Sequence, residues 1–123
     1  MKLAVTYHSD NGQVFRQFEK TKVLKLYEIE NGEVVHTELV GTMAESVSDI
    51  VGLIGMMEAD GVLCGDLLPE TITLLNEEGI LFYSGFYEDA DEAVQDFIDG
   101  YILFGPDEII PSGEEASPDT DQK

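Results

Sequence analysis

The residues able to do soft-metal chemistry are few: one cysteine, Cys64, and two histidines, His8 and His36. A thiolate is the ligand that iron, copper or zinc prefers, and His8 and Asp10, in the turn after the first strand, are candidates to complete a mixed site with it. Two histidines make a poor cage, and the competing readings are a small buried residue ending a strand and a solvated turn. Cations are almost as scarce and far more concentrated. Lys2, Arg16, Lys20, Lys22 and Lys25 lie in the first 25 residues with only Asp10 and Glu19 as acids, so that segment carries 5 − 2 = +3 and the remainder 1 − 24 = −23. Arg16, with its planar fork, and Lys20 and Lys22, as point charges, are candidates for holding a carboxylate or an anionic cluster. The same island suits an acidic partner or a second copy equally well. Phe15 and Phe18 either line a pocket or tuck a long loop onto the core.

The composition narrows the function classes. A net charge of −20 and a pI near 4.1 argue against nucleic acid and anionic membranes as partners, since both reward clustered cations spread over a surface. The chain opens directly on a strand pattern with no signal peptide, and a lone cysteine cannot close an internal disulfide, so a cytoplasmic location is expected. The longest uncharged stretches, Ile50–Met57 and Gly79–Tyr87, fall far short of the ~18 residues of a membrane-spanning helix. No phosphate-binding loop, Rossmann glycine pattern, nucleophile elbow or HExxH is present, and the first strand carries no carboxylate for two-metal chemistry. A non-catalytic role is expected.

These residues must be positioned by a small set of elements. Lys2–Tyr7 reads as a strand, followed by a polar turn, His8 to Gly12, and the aromatic loop Val14–Phe18. Lys22–Glu30 and Glu33–Val40 are β-rich segments joined by Asn31-Gly32, a strong hairpin signal. Ser46-Val-Ser-Asp49 has the form of a capping box, opening a helix with Val47, Ile50, Val51, Ile54 and Met57 at helical spacing up to about Asp60. Gly52 and Gly55 within it suggest a close approach to a sheet. Gly61–Cys64 is a short buried strand. Pro69 starts a second helix with Ile72 and Leu75 inward and Gly79 as its stop. Ile80–Ser84 is the next strand, and Asp89 opens a third helix whose stripe is Ala90, Ala93, Val94, Phe97 and Ile98, closed by Gly100. Tyr101–Gly105 then reads as a short apolar closing segment. A hairpin followed by strand–helix alternation implies an α/β fold with a mixed sheet, helices on its faces and Gly61–Cys64 parallel to the first strand and beside it. The loops leaving those two strands would then share a rim holding His8, Asp10, Cys64 and Asp66, the usual ligand edge of open α/β sheets. Residues 1–108 form one domain on this reading, and 109–123 form an acidic disordered tail with little apolar surface to bury.

Several segments, taken in order, resemble one family. Met1-Lys-Leu-Ala-Val-Thr-Tyr7, Gly12-Gln-Val-Phe15-x-x-Phe18-x-x-Thr21, the Asn31-Gly32 hairpin, Cys64-Gly65 and Asp89-Ala-Asp-Glu-Ala-Val94 are similar to the dinitrogenase iron-molybdenum cofactor biosynthesis family, from residue 1 to about 105. The resemblance implies a ribonuclease-H-like three-layer α/β/α fold with a five-stranded sheet in the order 3-2-1-4-5. It also implies a non-catalytic carrier of an iron-sulfur or iron-molybdenum cluster. The implied binding rim comprises Gly12, Phe15, Arg16, Phe18, Lys20, Thr21, Cys64 and Gly65, with Cys64 and His8 as metal ligands. The chain departs from the family pattern at Phe18-Glu19-Lys20, where Phe-Gly-His is common, and at Ser46-Val47-Ser48, where Gly-His-Gly is common. The glycine-rich run after Cys-Gly is replaced by Asp66-Leu67-Leu68-Pro69. The departures leave a second reading open: a divergent member without cofactor that acts through a protein partner or as a homodimer.

Overall fold

β1 (Lys2–Tyr7) is buried on both faces and runs through the middle of a five-stranded sheet. The structure, a computed structural model, describes residues 1–104; the end of the domain at 108 and the acidic stretch 109–123 lie outside them. β2 (Val23–Glu30) pairs antiparallel with β1, and β3 (Glu33–Gly41) antiparallel with β2, giving the sheet order β3-β2-β1-β4-β5. β4 (Gly61–Leu63) lies parallel to β1, and β5 (Leu81–Tyr83) parallel to β4. The expected neighbours of the first strand are therefore in place, and the crossovers through α1 (Val47–Met56) and α2 (Pro69–Glu77) supply them. The hairpin turns on Asn31 and Gly32, both at positive φ (55° and 78°), as a two-residue turn between twisted strands requires.

The alternation of side chains sorts the core into two layers. Leu3, Val5, Tyr27, Ile29 and Leu63 face α3 (Ala90–Phe104), whose Ala90, Ala93, Val94, Phe97 and Ile98 all pack inward as the sequence stripe predicts. Ala4, Leu24, Leu26, Val62 and Cys64 face α1 and α2 on the other side. Among the described residues β3 has no such cover, and its side chains are exposed nearly throughout.

Four details differ from the sequence reading. α1 ends at Met56 rather than near Asp60, because Glu58 takes a left-handed φ of 58° and its N–H donates to the Gly55 carbonyl. Gly52 and Gly55 do not approach the sheet: both are exposed, and a Cβ at either would meet nothing within 4 Å. α1 meets the sheet through Ile50, Val51 and Ile54 instead. α2 buries Thr71 with Leu75 and leaves Ile72 half-buried, and Gly100 does not close α3, which continues to Phe104. A glycine weakens a helix but stops it only when it turns left-handed, and Gly100, unlike Gly79 at φ 72°, stays at negative φ. The expected closing segment is thus helical as far as Phe104, while Gly105 lies outside the described residues.

Since Gly52 and Gly55 face solvent at ordinary helical φ, Gly52→Ala and Gly55→Ala should each stabilise the protein by about 0.4–1 kcal/mol through lower unfolded-state entropy. Urea midpoints will check this, and a loss of stability would mean that the bare helix face is covered.

Candidate functional site

The loop between β1 and β2 crosses the carboxyl ends of the parallel strands and divides its residues among three places. In its first part, the Gly12 N–H closes a turn on the His8 carbonyl at 2.8 Å, and Phe15 returns to the Thr6 carbonyl at 2.8 Å. The Gly12 carbonyl accepts from the Ala90 N–H, so this stretch is fastened to the start of α3, where the Asp89 carboxylate caps the N–H groups of Asp91 and Glu92. His8 spends its Nδ1 on the Asp10 N–H at 3.3 Å and tilts against Phe15, with ring centres 5.8 Å apart.

In its second part, the loop locks onto the β4–α2 loop. The Asp66 N–H donates to the Arg16 carbonyl at 2.6 Å and the Phe18 N–H to the Asp66 carbonyl at 3.3 Å. Gly65 lies so close to this crossing that a Cβ there would sit 2.6 Å from the Arg16 carbonyl oxygen and 2.9 Å from its Cα. The glycine of Cys64-Gly65 is therefore explained by backbone packing. Above it, the Asp66 carboxylate accepts from the Tyr87 hydroxyl and, at 3.1 Å, from Arg16 Nε, while the guanidinium lies 5.1 Å from the Tyr87 ring centre. The Tyr87 hydroxyl, then Arg16, hold the Asp66 carboxyl below the usual carboxylate range, and the same hydrogen bond raises the Tyr87 phenol. Arg16 is thus committed to a neighbour. Lys25 is committed too, bonded to Asp91 at 3.0 Å.

Cys64 does not face this rim. Its side chain is fully buried in the α1/α2 layer, and its Sγ lies 3.8 Å from the Tyr83 carbonyl. Burial pushes the thiol from 9.0 up to about 12, helped by the nearby charges of Glu19 and Asp66. This is the environment of an inert structural thiol. Among the described residues, no three His, Cys, Asp or Glu side chains converge to hold a metal ion. Phe18 is likewise buried in the core, whereas Phe15 is only half-buried.

The third part of the loop is the one that opens onto space. Within the 3-10 turn Phe18–Lys20, Glu19 reaches α2, where its carboxylate accepts from the Leu68 N–H at 3.0 Å and the Thr71 hydroxyl at 2.6 Å. Glu19 thereby caps a helix whose own N-cap, Leu68, makes no side-chain hydrogen bond. A cleft of about 250 Å³ is lined by Lys20, Thr21, Lys22, Ala44, Glu45 and Ser46, along with Glu19 and Ile50. Ser46 caps α1 by accepting from the Asp49 N–H, and the Asp49 carboxylate accepts in return from the Glu45 N–H at 2.9 Å, so the capped amino end of that helix borders the cleft. Neither Lys20 nor Lys22 forms an ion pair among the described residues. A larger cavity, about 460 Å³, opens at the opposite end near Met1, Asn31, Asp60 and Leu81; no lysine or arginine lines it.

With this geometry in view, comparison with known proteins is informative. The chain belongs to the dinitrogenase iron-molybdenum cofactor family, whose model matches residues 1–100. It is 26% identical over 107 residues to the uncharacterized protein MJ0580 of Methanocaldococcus jannaschii, covering 83% of this chain and 89% of that one. The crystal structure of PH0822 superposes with a TM-score of 0.75 at 24% identity, covering 81% of this chain and 92% of that one. The apo form of the orange protein from Desulfovibrio gigas gives 0.69 at 19% identity, covering 80% and 88%. At these identities the two structures speak to the fold alone.

The expected meeting of the two loops is present, but its residues do not form a single pocket. Gly12 fastens α3, Phe18 fills the core, Arg16 closes on Asp66, and Lys20 and Thr21 line the cleft. Tyr87 was not singled out in the sequence. Its position just past β5, at the carboxyl end of a third parallel strand, is the signal that would have found it.

Two outcomes follow. Gly65→Ala forces a Cβ into backbone that cannot yield cheaply and should cost about 1–3 kcal/mol in chemical denaturation; unchanged stability would contradict the close crossing. Native Cys64 should react with thiol reagents far more slowly than the unfolded chain, since a pKa of about 12 in place of 9.0 lowers the thiolate population roughly a thousandfold. With the folded value raised, its contribution to stability is complete below pH 9.0 and falls away between 9.0 and about 12. Rapid labelling of the native protein at neutral pH would contradict this placement.

Proposed function

We propose that the chain is a non-catalytic binding domain, of ribonuclease-H-like layering, that carries an anionic ligand in the cleft between the Lys20–Lys22 segment and the start of α1. An iron-sulfur or iron-molybdenum cluster, the cargo the family's description points to, is the ligand class this reading favours. One observation carries it: Lys20 and Lys22, which form no ion pair among the described residues, line the same cleft as the amino end of α1. Helix N-termini and lysine ammonium groups both attract negative charge. Glu19 is turned to α2, which leaves Glu45 as the opposing carboxylate in the lining.

The donor set defines how such a cargo would be held. Cys64 is buried and His8 is engaged with its own turn, so neither offers an open ligand at the cleft. The residues present suit an assembled anionic cluster held by charge and hydrogen bonds rather than by a thiolate or imidazole bond to the metal. The second reading, a domain acting through protein contacts, is favoured by the rim itself, which Arg16, Asp66 and Tyr87 close with their own side chains.

Anaerobic purification and reconstitution with iron, sulfide and molybdate, followed by metal analysis, should show uptake by the wild type. Lys20→Glu with Lys22→Glu should reduce it at least tenfold, equal to about 1.4 kcal/mol, without changing the fold. No uptake by the wild type, or equal uptake by the double variant, would remove the cleft as the binding site.

A further inference from the structure

The open edge of the sheet has a self-matching pattern. β3 is nine residues long, ends the sheet on one side and is covered by no helix among the described residues; its Val35 and Leu39 are 53% and 57% exposed. A long, exposed, partly apolar edge is a template for strand pairing unless something blunts it. At one end a bulge does so: between Glu28 and Ile29 the register skips, leaving Val35 unpaired. From His36 to Gly41 the pairing is regular.

Hydrogen-bond parity then fixes which groups are free. The Thr42 N–H donates to the Lys22 carbonyl at 2.9 Å, and the register continues through Leu24–Val40 and Leu26–Glu38. These are the bonded pairs, so the alternate residues Thr37, Leu39 and Gly41 turn their N–H and C=O groups away from β2 to the open edge. The other side of β2 agrees, since Ile29, of odd parity, exchanges hydrogen bonds with Met1 at the start of β1.

We infer that this edge pairs antiparallel with β3 of a second copy, about a two-fold axis at Leu39. The three outward residues are symmetric about that point: Leu39 faces Leu39 of the second copy, and Thr37 faces Gly41. Every outward N–H and C=O of this stretch then finds a partner, and the bulge stays outside the ladder. Glu38 faces Val40 of the second copy, so no like charges are set directly opposite one another. The exposed Leu39 side chains meet at the axis. An isologous two-fold contact requires this kind of self-complementarity. A protein of net charge −20 repels its own copies, and the His36–Gly41 stretch adds only one acid, Glu38, to each side of the contact. This pairing does not depend on the cleft reading, and either can fail alone.

Light scattering and sedimentation equilibrium on the full chain, across protein and salt concentration, test it. The mass should double as concentration rises, and the association should tighten with salt as the repulsion is screened. Leu39→Pro deletes an N–H that β2 does not use, and Leu39→Lys places two charges at the axis; both should be monomers with unchanged circular dichroism. A wild type that stays monomeric at every concentration and salt level, even one that captures an unrelated extended peptide, would overturn the inference. So would a doubling of mass that survives in both variants.

Discussion

The molecule's upper edge depends on one crossing of two backbones, at which the Asp66 N–H reaches the Arg16 carbonyl and the Phe18 N–H reaches the Asp66 carbonyl. Only glycine at position 65 lets the chains come that close. The crossing delivers Phe18 into the core, and the turn after it swings Glu19 onto the start of α2. Lys20 is then left on the other side, beside the start of α1. A cation is thus placed at the cleft by the packing of residues several positions away. The link from sequence to function runs through backbone geometry before it reaches any charge.

The basic island is divided by the same geometry. Arg16 is held by Asp66 and Tyr87, and Lys25 by Asp91, with the Tyr27 hydroxyl sharing that carboxylate at 2.5 Å. Burial, then the hydrogen bond to Asp91, raises the Tyr27 phenol, and the Tyr27 and Lys25 bonds lower Asp91. These cations brace the structure, whereas Lys20 and Lys22 form no ion pair among the described residues. Partly exposed pairs of this kind contribute little each to stability, so their larger effect is to set which charges remain available.

Much of this architecture was legible in the residues. The Asn31-Gly32 hairpin, the Ser46 cap, Pro69 and Gly79 bracketing α2, and the α3 stripe are local signals, and local signals survive folding. The strand order beyond β1–β4 came from family resemblance, because pairing between distant segments leaves little periodic trace. The site was legible only in part. That the two loops meet follows from the crossover rule, but the fate of each side chain there depends on tertiary contacts. Cys64 was read as a candidate for the rim and lies in the core because β4 alternates sides one residue before the loop begins. Gly52 and Gly55 misled for a related reason, since spacing alone does not say which face of α1 meets the sheet.

The proposed function requires negative charge to be received between Lys20–Lys22 and the first turn of α1. Amide chemical-shift mapping of the wild-type protein during titration with molybdate, a simple oxyanion, addresses it most directly. Saturable shifts concentrated at Lys20, Thr21, Lys22 and Ser46 to Ser48 are expected, with Cys64 and Arg16 little affected. Shifts absent from that segment, or centred on Arg16, Asp66 and Tyr87, would contradict it.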